Sequence, residues 1–520
     1  MKIGYDKIKT LAILYAVVPV MIFFIGWLNI ISALIFIALS TCAIYFFLKN
    51  NSPEDGQFQS ITLSKHQIIG IAAIAFIWCF AAGQGSFIHQ SGDHIVRNAI
   101  FRDIISQKWP VAYHDGNSML CYYIAHWMVP AVIGKFVLAV SGSAFAGYFV
   151  GNIALLLWSS FGCFIIFMLV AMLTNTGNKQ RVFIAITMFI FFSGLDIVGA
   201  LVRKDTGAVN GGMHLEWWGI WYQFSSNMTC LYWVYNQTIV PWMLLLCLMN
   251  EKSLKNTALI AILILPYGPF PFVGTLVLCF VRFFEGLYKS IKNKSVPHFI
   301  EEVLTPQNLI GMVAIAPVYL LYYRANVIVA GEGTGFRLLY TVKQAFSSDE
   351  SVPLGYFIRM YLSFILLEFG LYMAFILKRV KPDASLIGMG VSLLFIPLFQ
   401  LGTSYDFSMR VSIPALAYVC VTFIQVIMRE LPDWGEYGSF NNCVRHKKFL
   451  VVALLVFALG AATPLIEIKR ELFRTITTPY SEIMDYFTNE SLQSFDNIDN
   501  FAAANYKESD FYRILSKKRD

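Results

Sequence analysis

The sequence predicts an all-α polytopic integral membrane protein with about 11 to 13 transmembrane helices. Of its 520 residues, 57% are apolar and 14% are charged, whereas soluble domains have roughly 45–50% and 25%. Apolar runs such as Leu11 to Trp27 and Ile31 to Leu48 recur along the chain, and a span of about 20 residues crosses a hydrocarbon core. The first run lacks a small-residue cleavage site and is followed at once by a second, so we expect it to be retained as a helix.

The distribution of basic residues predicts which loops share a side of the membrane. Lys and Arg favour cytoplasmic loops, which places the N-terminus and the basic connections in the cytoplasm. The loops left to face outward are residues 84–118, 203–236, 324–352 and 404–410. Residues 1–466 then form a transmembrane domain, and residues 467–520 form an extracytoplasmic tail.

Charge and motifs exclude several other classes of protein. The net charge of +7 is spread over short loops, so it indicates topology and not a nucleic-acid partner. The nine cysteines are dispersed, without CxxC pairs or Cys/His clusters, which indicates neither a disulfide framework nor a zinc site. Walker A, dinucleotide, HExxH and GxSxG motifs are absent from the sequence, so lipid-borne substrates are the class that remains.

Two apolar segments do not have the pattern of a single continuous transmembrane helix. Residues 120–138 carry His126, Pro130 and Lys135, and counting them as a span breaks the alternation of loops, so we interpret them as re-entrant or interfacial. Residues 259–281 are interrupted by prolines and a glycine and have basic loops on both sides. This pattern predicts two short or broken helices forming a hairpin, which is tolerated where protein satisfies the freed backbone groups.

The first outer loop contains a segment with helical periodicity. Its apolar residues recur at helical spacing, at Ile95, Val96, Ala99, Ile100 and Ile104. We expect an amphipathic helix lying on the outer leaflet, with Arg97 on another face. Asp93 stands at its start, where it is either the N-cap or a partly desolvated carboxylate able to act as a general base. His94 and Arg97 are candidate substrate-binding residues beside it.

The second outer loop combines aromatic and hydrogen-bonding side chains. His214, Glu216, Trp217 and Trp218 come first, and Gln237 follows about 20 residues later. Such a combination suits a sugar, which has an apolar face and a polar rim, but an interfacial aromatic belt would also produce it. Glu216 does not fit a belt, so it is a candidate second catalytic acid.

The third outer segment carries a basic residue at the membrane boundary. Arg410 could hold a phosphate with bidentate geometry, or it could snorkel to lipid head groups or pair with Asp406. Arg359 lies a little inside a span by the same topology, where an unpaired charge is costly. We therefore count Asp406, Arg410 and Arg359 as candidate substrate-binding residues.

Three short motifs carry a resemblance to a known family. They are Gly92-Asp93 with Asn98-Ala99-Ile100 and Lys108-Trp109-Pro110, then His214-Leu215-Glu216-Trp217-Trp218, then Asp406-Phe407-Ser408-Met409-Arg410 with Ser412-Ile413-Pro414. A group of bacterial membrane proteins that resembles the GT-C glycosyltransferases in layout has this combination.

The resemblance implies a donor, a base and a phosphate site. GT-C enzymes use a polyprenyl-phosphate-linked sugar, and a carboxylate in the first outer loop acts on the acceptor, which is the position of Asp93. Arg410 would hold the donor phosphate. The chain has Asp93-His94 where several families have paired acidic residues, and it lacks a large soluble C-terminal domain. The acceptor class stays open, and a divalent metal stays possible.

Three functions follow as hypotheses. The first is a glycosyltransferase at the outer face of a bacterial cytoplasmic membrane, which moves a sugar to a glycan, lipid or cell-wall polymer. The second is a polymerase or ligase of lipid-linked glycans. The third is a transporter or flippase without chemistry, although we find no internal repeat of the kind that many carriers have. All three have membrane lipids as partners, and none involves nucleic acid.

Overall fold

The protein is a helical bundle with apolar helices long enough to cross a membrane. The structure is a computed structural model that describes residues 1–174, 181–210, 212–327, 335–341, 352–401, 406–431, 447–485, 490–504 and 506–518. Within these residues, eight helices have the length and composition of a span, or nine if a pair bent by 104° is one span. This agrees with an all-α polytopic membrane protein. The larger number, about 11 to 13, stays a prediction because several other apolar helices are shorter.

The first half of the described chain contains eleven α-helices. They are α1 (Tyr5–Trp27), α2 (Ile30–Asn50), α3 (Lys65–Ala81), α4 (Asp93–Ser106), α5 (Met128–Ser141), α6 (Ala144–Leu173), α7 (Arg181–Ile190), α8 (Asp196–Val202), α9 (Thr206–Val209), α10 (Asn227–Val234) and α11 (Ile239–Asn250).

The second half of the described chain adds twelve. They are α12 (Thr257–Ile262), α13 (Pro269–Lys292), α14 (Val296–Val303), α15 (Pro306–Val327), α16 (Leu354–Ile365), α17 (Leu371–Leu377), α18 (Ala384–Phe395), α19 (Asp406–Val411), α20 (Ile413–Glu430), α21 (Lys448–Gly460), α22 (Ala462–Thr477) and α23 (Tyr480–Asp485). A π-helical segment, Leu366–Gly370, joins α16 to α17.

In the described part of the chain, seven short strands form three small antiparallel sheets. β1 (Lys2–Gly4) pairs with β2 (Ser60–Thr62), and β5 (Arg337–Leu338) pairs with β6 (Phe399–Gln400). The third sheet has the order β3 (Ala112–Tyr113), β4 (Ser118–Leu120) and β7 (Ala502–Ala503). It joins the first outer loop to the C-terminal segment.

The predicted hairpin at residues 259–281 has one short and one long arm. The first arm is α12 with a 3-10 turn at Leu265–Tyr267, and the second is the 24-residue α13. Both arms meet at Glu251, because Asn256 donates to its carboxylate at 3.1 Å and Arg282 donates to its backbone oxygen at 2.6 Å. The predicted break is confirmed for the first arm, whereas the second arm is continuous because its prolines lie in the first turn, where no backbone N–H is needed.

Residues 120–138 form a short arm packed against α4 and α6. His126 lies 2.9 Å from the Ser159 hydroxyl in α6, and Lys135 of α5 donates to the carbonyl oxygen of Ile105 in α4 at 3.2 Å. With 14 residues, α5 is about 21 Å long and shorter than the hydrocarbon core. This packing is what the re-entrant interpretation leads us to expect.

Loops that were predicted to share a side contact each other. Lys9 is fully buried and lies 2.8 Å from Asp55 and 2.9 Å from Glu251, so three separate segments meet in one ion cluster. The outer-loop motifs and the C-terminal segment lie together elsewhere in the bundle, where Asp103 of α4 accepts hydrogen bonds from Ser491 and Leu492.

Two sequence predictions about the outer segments need correction. Helix α4 forms as predicted, but it is enclosed by protein: Arg97 and Asn98 are buried, while the apolar Ile95 is exposed. The Asn98 amide of this helix donates to Gln90 Oε1 at 2.6 Å. The proposed boundary between residues 466 and 467 lies inside α22. Parts of the loops 324–352 and 404–410 lie outside the described residues.

Candidate functional site

Helix α4 presents Asp93 and Arg97 as an ion pair one turn apart. The helix begins at Asp93, with Gly92 as N-cap and without a side-chain cap, so Asp93 is not the N-cap. Arg97 Nη2 donates to Asp93 Oδ2 at 3.0 Å. The Asp93 side chain is 44% exposed and that of Arg97 is 4% exposed. Arg97 Nε and Nη1 are buried without a hydrogen-bond partner among the described residues.

Helix α19 presents a second pair of the same kind. Arg410 Nη1 lies 3.0 Å from Asp406 Oδ2, and their side chains are 10% and 49% exposed. Arg410 Nε is buried without a partner in the part of the chain that the structure describes. The predicted alternative for Arg410, pairing with Asp406, is therefore present. Arg410 lies in the last turn of this six-residue helix.

The two arginines lie close enough to affect each other electrostatically. Burial works to lower the pKa of Arg97, but Asp93, Tyr122 and Tyr235 together outweigh it and the pKa is raised, while Arg410 opposes that rise. Burial works against the charge of Arg410 as well, yet Tyr123, Asp406 and Asp93 favour its protonated form and the pKa is raised. Both guanidinium groups therefore stay charged. Asp93 thus also contributes to the electrostatic stabilisation of the charged form of Arg410.

An apolar groove of about 430 Å³ lies between α13, α18 and α19. Its lining includes Val273, Val277, Val391, Phe395, Phe407 and Val411. Val411 follows Arg410 in the chain and Phe407 precedes it by three residues, so α19 carries part of the groove wall as well as Arg410.

His94 supports the site from inside. Its Nε2 lies 2.6 Å from the carbonyl oxygen of Tyr232, and its Nδ1 lies 3.2 Å from the amide nitrogen of Gln90. The ring stacks on Tyr235 with a centroid separation of 5.5 Å. Burial lowers the pKa of His94 to about 4, so the ring is neutral near pH 7. It joins α4 to the second outer loop, and both of its nitrogens are already engaged.

Glu216 lies in a separate buried network. It is 1% exposed and accepts hydrogen bonds from Ser225 Oγ at 2.6 Å, Ser226 N at 2.8 Å and Gln223 Nε2 at 3.1 Å. His214 Nε2 lies 3.3 Å from the same carboxylate. With its oxygens occupied, Glu216 has the surroundings of a structural carboxylate, and its predicted catalytic role receives no support from this geometry.

His214 connects this network to α22. Its Nδ1 lies 2.8 Å from Glu467 Oε1, and Glu467 pairs in turn with Arg470. Burial works to lower the pKa of His214, but Glu216 and Glu467 outweigh it and raise the pKa to about 10. The sequence analysis missed the acidic and basic residues of α22. Their spacing of three or four residues at the end of an apolar run would have indicated them.

The network continues to the loop before α4. Arg470 Nε lies 3.6 Å from Glu471 Oε1, and Glu471 Oε2 lies 2.6 Å from His89 Nδ1. The backbone N–H of His89 donates to the Thr475 hydroxyl at 3.2 Å. Helix α22 thus connects the two outer loops that hold Asp93 and Glu216.

Trp217 and Trp218 have different surroundings. Trp217 is 42% exposed and meets the His214 ring edge-on at 5.5 Å. Trp218 is buried, and its Nε1 lies 3.1 Å from Asp196 Oδ1 and 3.0 Å from Glu368 Oε1. A sugar platform formed by both rings is therefore not what the structure contains. Trp217 alone offers a free aromatic face.

Gln237 is buried, whereas Arg359 is exposed. Gln237 is fully buried at the bend between α10 and α11, and neither amide atom has a hydrogen-bond partner among the described residues. Arg359 is on the exposed face of α16, where its Nε donates to the Gly355 carbonyl oxygen at 3.3 Å. Within the described residues, no carboxylate pairs with Arg359.

The described residues contain no group of three His, Cys, Asp or Glu side chains placed to hold a metal ion. Comparison of the chain with models of known protein families, with curated proteins and with solved structures finds no match. The likeness to GT-C enzymes therefore stays a prediction, and the function has to be argued from the geometry of the arginine pair.

Proposed function

We propose that this chain is a membrane glycosyltransferase that transfers a sugar from a polyprenyl-phosphate-linked donor to an acceptor at the extracytoplasmic face of a bacterial cytoplasmic membrane. One observation carries the proposal. Arg97 and Arg410 are two buried cations that interact electrostatically, and each has an unpartnered guanidinium nitrogen among the described residues: Nε and Nη1 of Arg97, and Nε of Arg410.

A phosphate would satisfy both arginines. Each has a carboxylate partner one turn away on its own helix, but that pairing leaves buried N–H groups unbonded, which is costly. Guanidinium groups bind phosphate oxygens in a planar, bidentate way. The negative charge of a donor phosphate would also reduce the repulsion between the two cations.

The groove that α19 helps to line suits the lipid part of such a donor. Its lining is apolar, and some of the lining side chains are exposed on the surface of the bundle: Val273 is 47% exposed and Phe395 is 57% exposed. An isoprenoid chain could enter sideways from the lipid and leave its phosphate at Arg410. The groove and the arginine therefore match the two ends of one amphipathic molecule.

Asp93 is placed to act as the base. Its carboxylate is half-exposed, and only Oδ2 has a hydrogen bond within the described residues, from Arg97. In the proposed step, the acceptor hydroxyl oxygen forms a bond to the anomeric carbon, and the bond from that carbon to the phosphate oxygen breaks. The electron pair leaves with the phosphate at Arg97 and Arg410, and the acceptor proton goes to Asp93.

The remaining predicted residues take positioning roles. His94 ties α4 to the loop that holds Tyr232, and Glu216 with His214 fixes the second outer loop against α22. Each acts on the shape of the site through other residues. Asp93, Arg97 and Arg410 are the groups that would touch the substrate.

The test is a transfer assay with membranes that contain the protein and a panel of polyprenyl-phosphate monosaccharides, in which release of polyprenyl phosphate is measured. Loss of a general base costs roughly 10²- to 10⁴-fold, so we expect at least about a hundredfold lower rate for Asp93→Asn. We expect Arg410→Ala to weaken polyprenyl phosphate binding roughly tenfold or more.

Matched controls separate these effects from general damage. Asp510→Asn and Arg324→Ala change exposed residues outside the arginine pair, and both should keep wild-type rates at equal protein levels. Wild-type transfer by both Asp93→Asn and Arg410→Ala would refute the proposal.

A polymerase or ligase of lipid-linked glycans would use the same phosphate site. The product distinguishes it from the transferase, since mass spectrometry of lipid-linked glycans shows either the addition of one sugar or the transfer of a chain.

A transporter is favoured by a different observation. The carboxyl groups of Asp196 and Glu368 are buried, since the two residues are only 1% and 2% exposed. They lie at a π-helical segment inside a candidate span. Intramembrane carboxyl groups are frequent in proton-coupled carriers. If lipid-linked sugar crosses vesicle membranes without release of polyprenyl phosphate, and Glu368→Gln abolishes this, the chain is a transporter.

A further inference from the structure

A second cleft, of about 760 Å³, opens between α4 and the C-terminal segment. Hydroxyl and amide side chains line it, together with two basic residues. The polar lining residues include Arg102, Ser106, Gln107, Ser491, Gln493 and Lys507. This volume lies within the range of ligand pockets, which is about 300–1,000 Å³.

The walls of the cleft are fixed by specific contacts. Asp103 Oδ2 accepts from Ser491 Oγ at 3.0 Å and from Leu492 N at 2.9 Å. On the opposite wall, the Tyr506 hydroxyl donates to the Gly116 carbonyl oxygen at 3.0 Å. The pairing of β7 with β4 also holds the C-terminal segment in place. The cleft is therefore preformed.

The two basic residues are held on aromatic rings and not by acids. The Arg102 guanidinium lies 5.4 Å from the ring centroid of Tyr148, and Lys507 Nζ lies 5.9 Å from that of Tyr506. Among the described residues, neither forms an ion pair with a carboxylate. Arg102 and Lys507 outnumber Asp103, which is the one carboxylate among the described lining residues, so the described lining carries a net positive charge.

We propose that this cleft binds an anionic glycan chain and that, given the proposed glycosyltransferase function, this chain is the acceptor. Hydroxyl and amide groups suit the hydroxyl groups of sugars, and Arg102 and Lys507 suit phosphate, sulfate or carboxylate groups on the chain. The cleft would recognise any of these three groups, because phosphate, sulfate and carboxylate are all oxyanions.

The position of the cleft favours a polymer over a free sugar. Arg102 follows Arg97 by five residues, which is about 7.5 Å along α4 and about 140° around it. The cleft and the arginine pair are therefore separate sites on one helix. Only a chain of several sugars can occupy the cleft and also extend around α4 toward Asp93.

The experiment measures binding of the full chain in detergent to a fluorescent sulfated dextran oligosaccharide and to neutral dextran of the same length, by fluorescence anisotropy. The double variant Arg102→Gln with Lys507→Gln should bind the sulfated probe roughly tenfold more weakly. The matched control is Arg324→Gln with Lys518→Gln, which removes two exposed basic residues outside the cleft. It should bind like the wild type.

Each outcome supports or overturns the proposal. An equal loss of affinity for the sulfated probe in the two double variants would mean general attraction to a basic protein. An unchanged affinity in the double variant of Arg102 and Lys507 would exclude the cleft as the binding site. If neutral dextran bound as tightly as the sulfated probe, the claim that the cleft selects an anionic chain would be overturned. Probe binding and sugar transfer are measured separately, so failure of the glycosyltransferase proposal would remove the acceptor role and leave the glycan site intact.

Discussion

Gly274 of α13 packs directly on the backbone carbonyl oxygen of Val411, so closely that a Cβ atom at position 274 would lie 2.1 Å from that oxygen. Val411 follows Arg410, and this contact therefore sets how near α19 approaches α13. We expect Gly274→Ala to push α19 outward, at a cost of about 1–3 kcal/mol in stability, and to weaken binding of polyprenyl phosphate. Melting temperature and phosphate binding are the two measurements.

Gly355→Ala is the matched control for this change. A Cβ at position 355 meets nothing within 4 Å, and alanine favours a helix by up to about 1 kcal/mol over glycine. The control should melt at the wild-type temperature or slightly above it. If Gly274→Ala behaves like Gly355→Ala in both measurements, close packing on Val411 does not position Arg410.

The His214 network should make stability depend on pH in the alkaline range. Glu216 and Glu467 outweigh burial and raise the pKa of His214 to about 10 in the folded protein, whereas an unfolded chain has a histidine pKa of about 6.5. The contribution of charged His214 to the free energy of unfolding is therefore complete below about pH 6.5 and is lost as the pH rises through about 10. Between these values the free energy of unfolding should fall by about 1.4 kcal/mol per pH unit.

Melting curves from pH 6 to pH 10 check this dependence. His214→Gln removes the titrating group, so its melting temperature should be lower at pH 6 and should fall less steeply with pH than that of the wild type. The exposed His298 is a control, because it lies 3.7 Å or more from its acidic neighbours, and His298→Gln should keep the wild-type slope. Identical slopes in all three proteins would contradict a charged, buried His214.

Sequence patterns predicted the helical membrane class because apolar run length depends on local composition. They also located the break near Pro266 and the helix at Asp93. They could not predict that α4 would be enclosed by protein, since that depends on the C-terminal segment about 390 residues further along the chain, which binds Asp103.

The same limit explains the mixed outcome for the candidate site. Asp93 and Arg410 were predicted to serve one site, as base and phosphate clamp, and the two interact electrostatically in the structure. Glu216 was predicted as a second catalytic acid, but Gln223, Ser225 and Ser226, all within ten residues of it, occupy its oxygens. These residues are visible in the sequence, but only the fold turns them all toward one carboxylate. Glu467, more than 250 residues from His214, reaches the network only through the fold.

The pair Asp196 and Glu368 should tolerate loss of one acid. Both accept from the same Trp218 Nε1, at 3.1 and 3.0 Å, and two buried carboxyl groups sharing one donor cannot both ionise without a large cost. Glu368→Gln replaces an acid that carries a proton by a neutral amide, so the melting temperature should stay within a few degrees or rise. Trp218→Phe removes the shared hydrogen-bond donor and should lower the melting temperature. Equal destabilisation by both changes would mean that the two acids are ionised.

Asp103 should control the attachment of the C-terminal segment to α4. Its carboxylate is 2% exposed and accepts from Ser491 and Leu492, and hydrogen bonds to a charged group contribute roughly 1.5–3 kcal/mol each. Asp103→Ala should therefore expose the segment to limited proteolysis near residue 490 while α1 to α22 stay protected. Asp499→Ala, at an exposed position, should be cleaved at the wild-type rate. Because the cleft has this segment as one wall, Asp103→Ala should also weaken binding of the sulfated dextran probe. Unchanged proteolysis would show that the pairing of β7 with β4 holds the segment without Asp103.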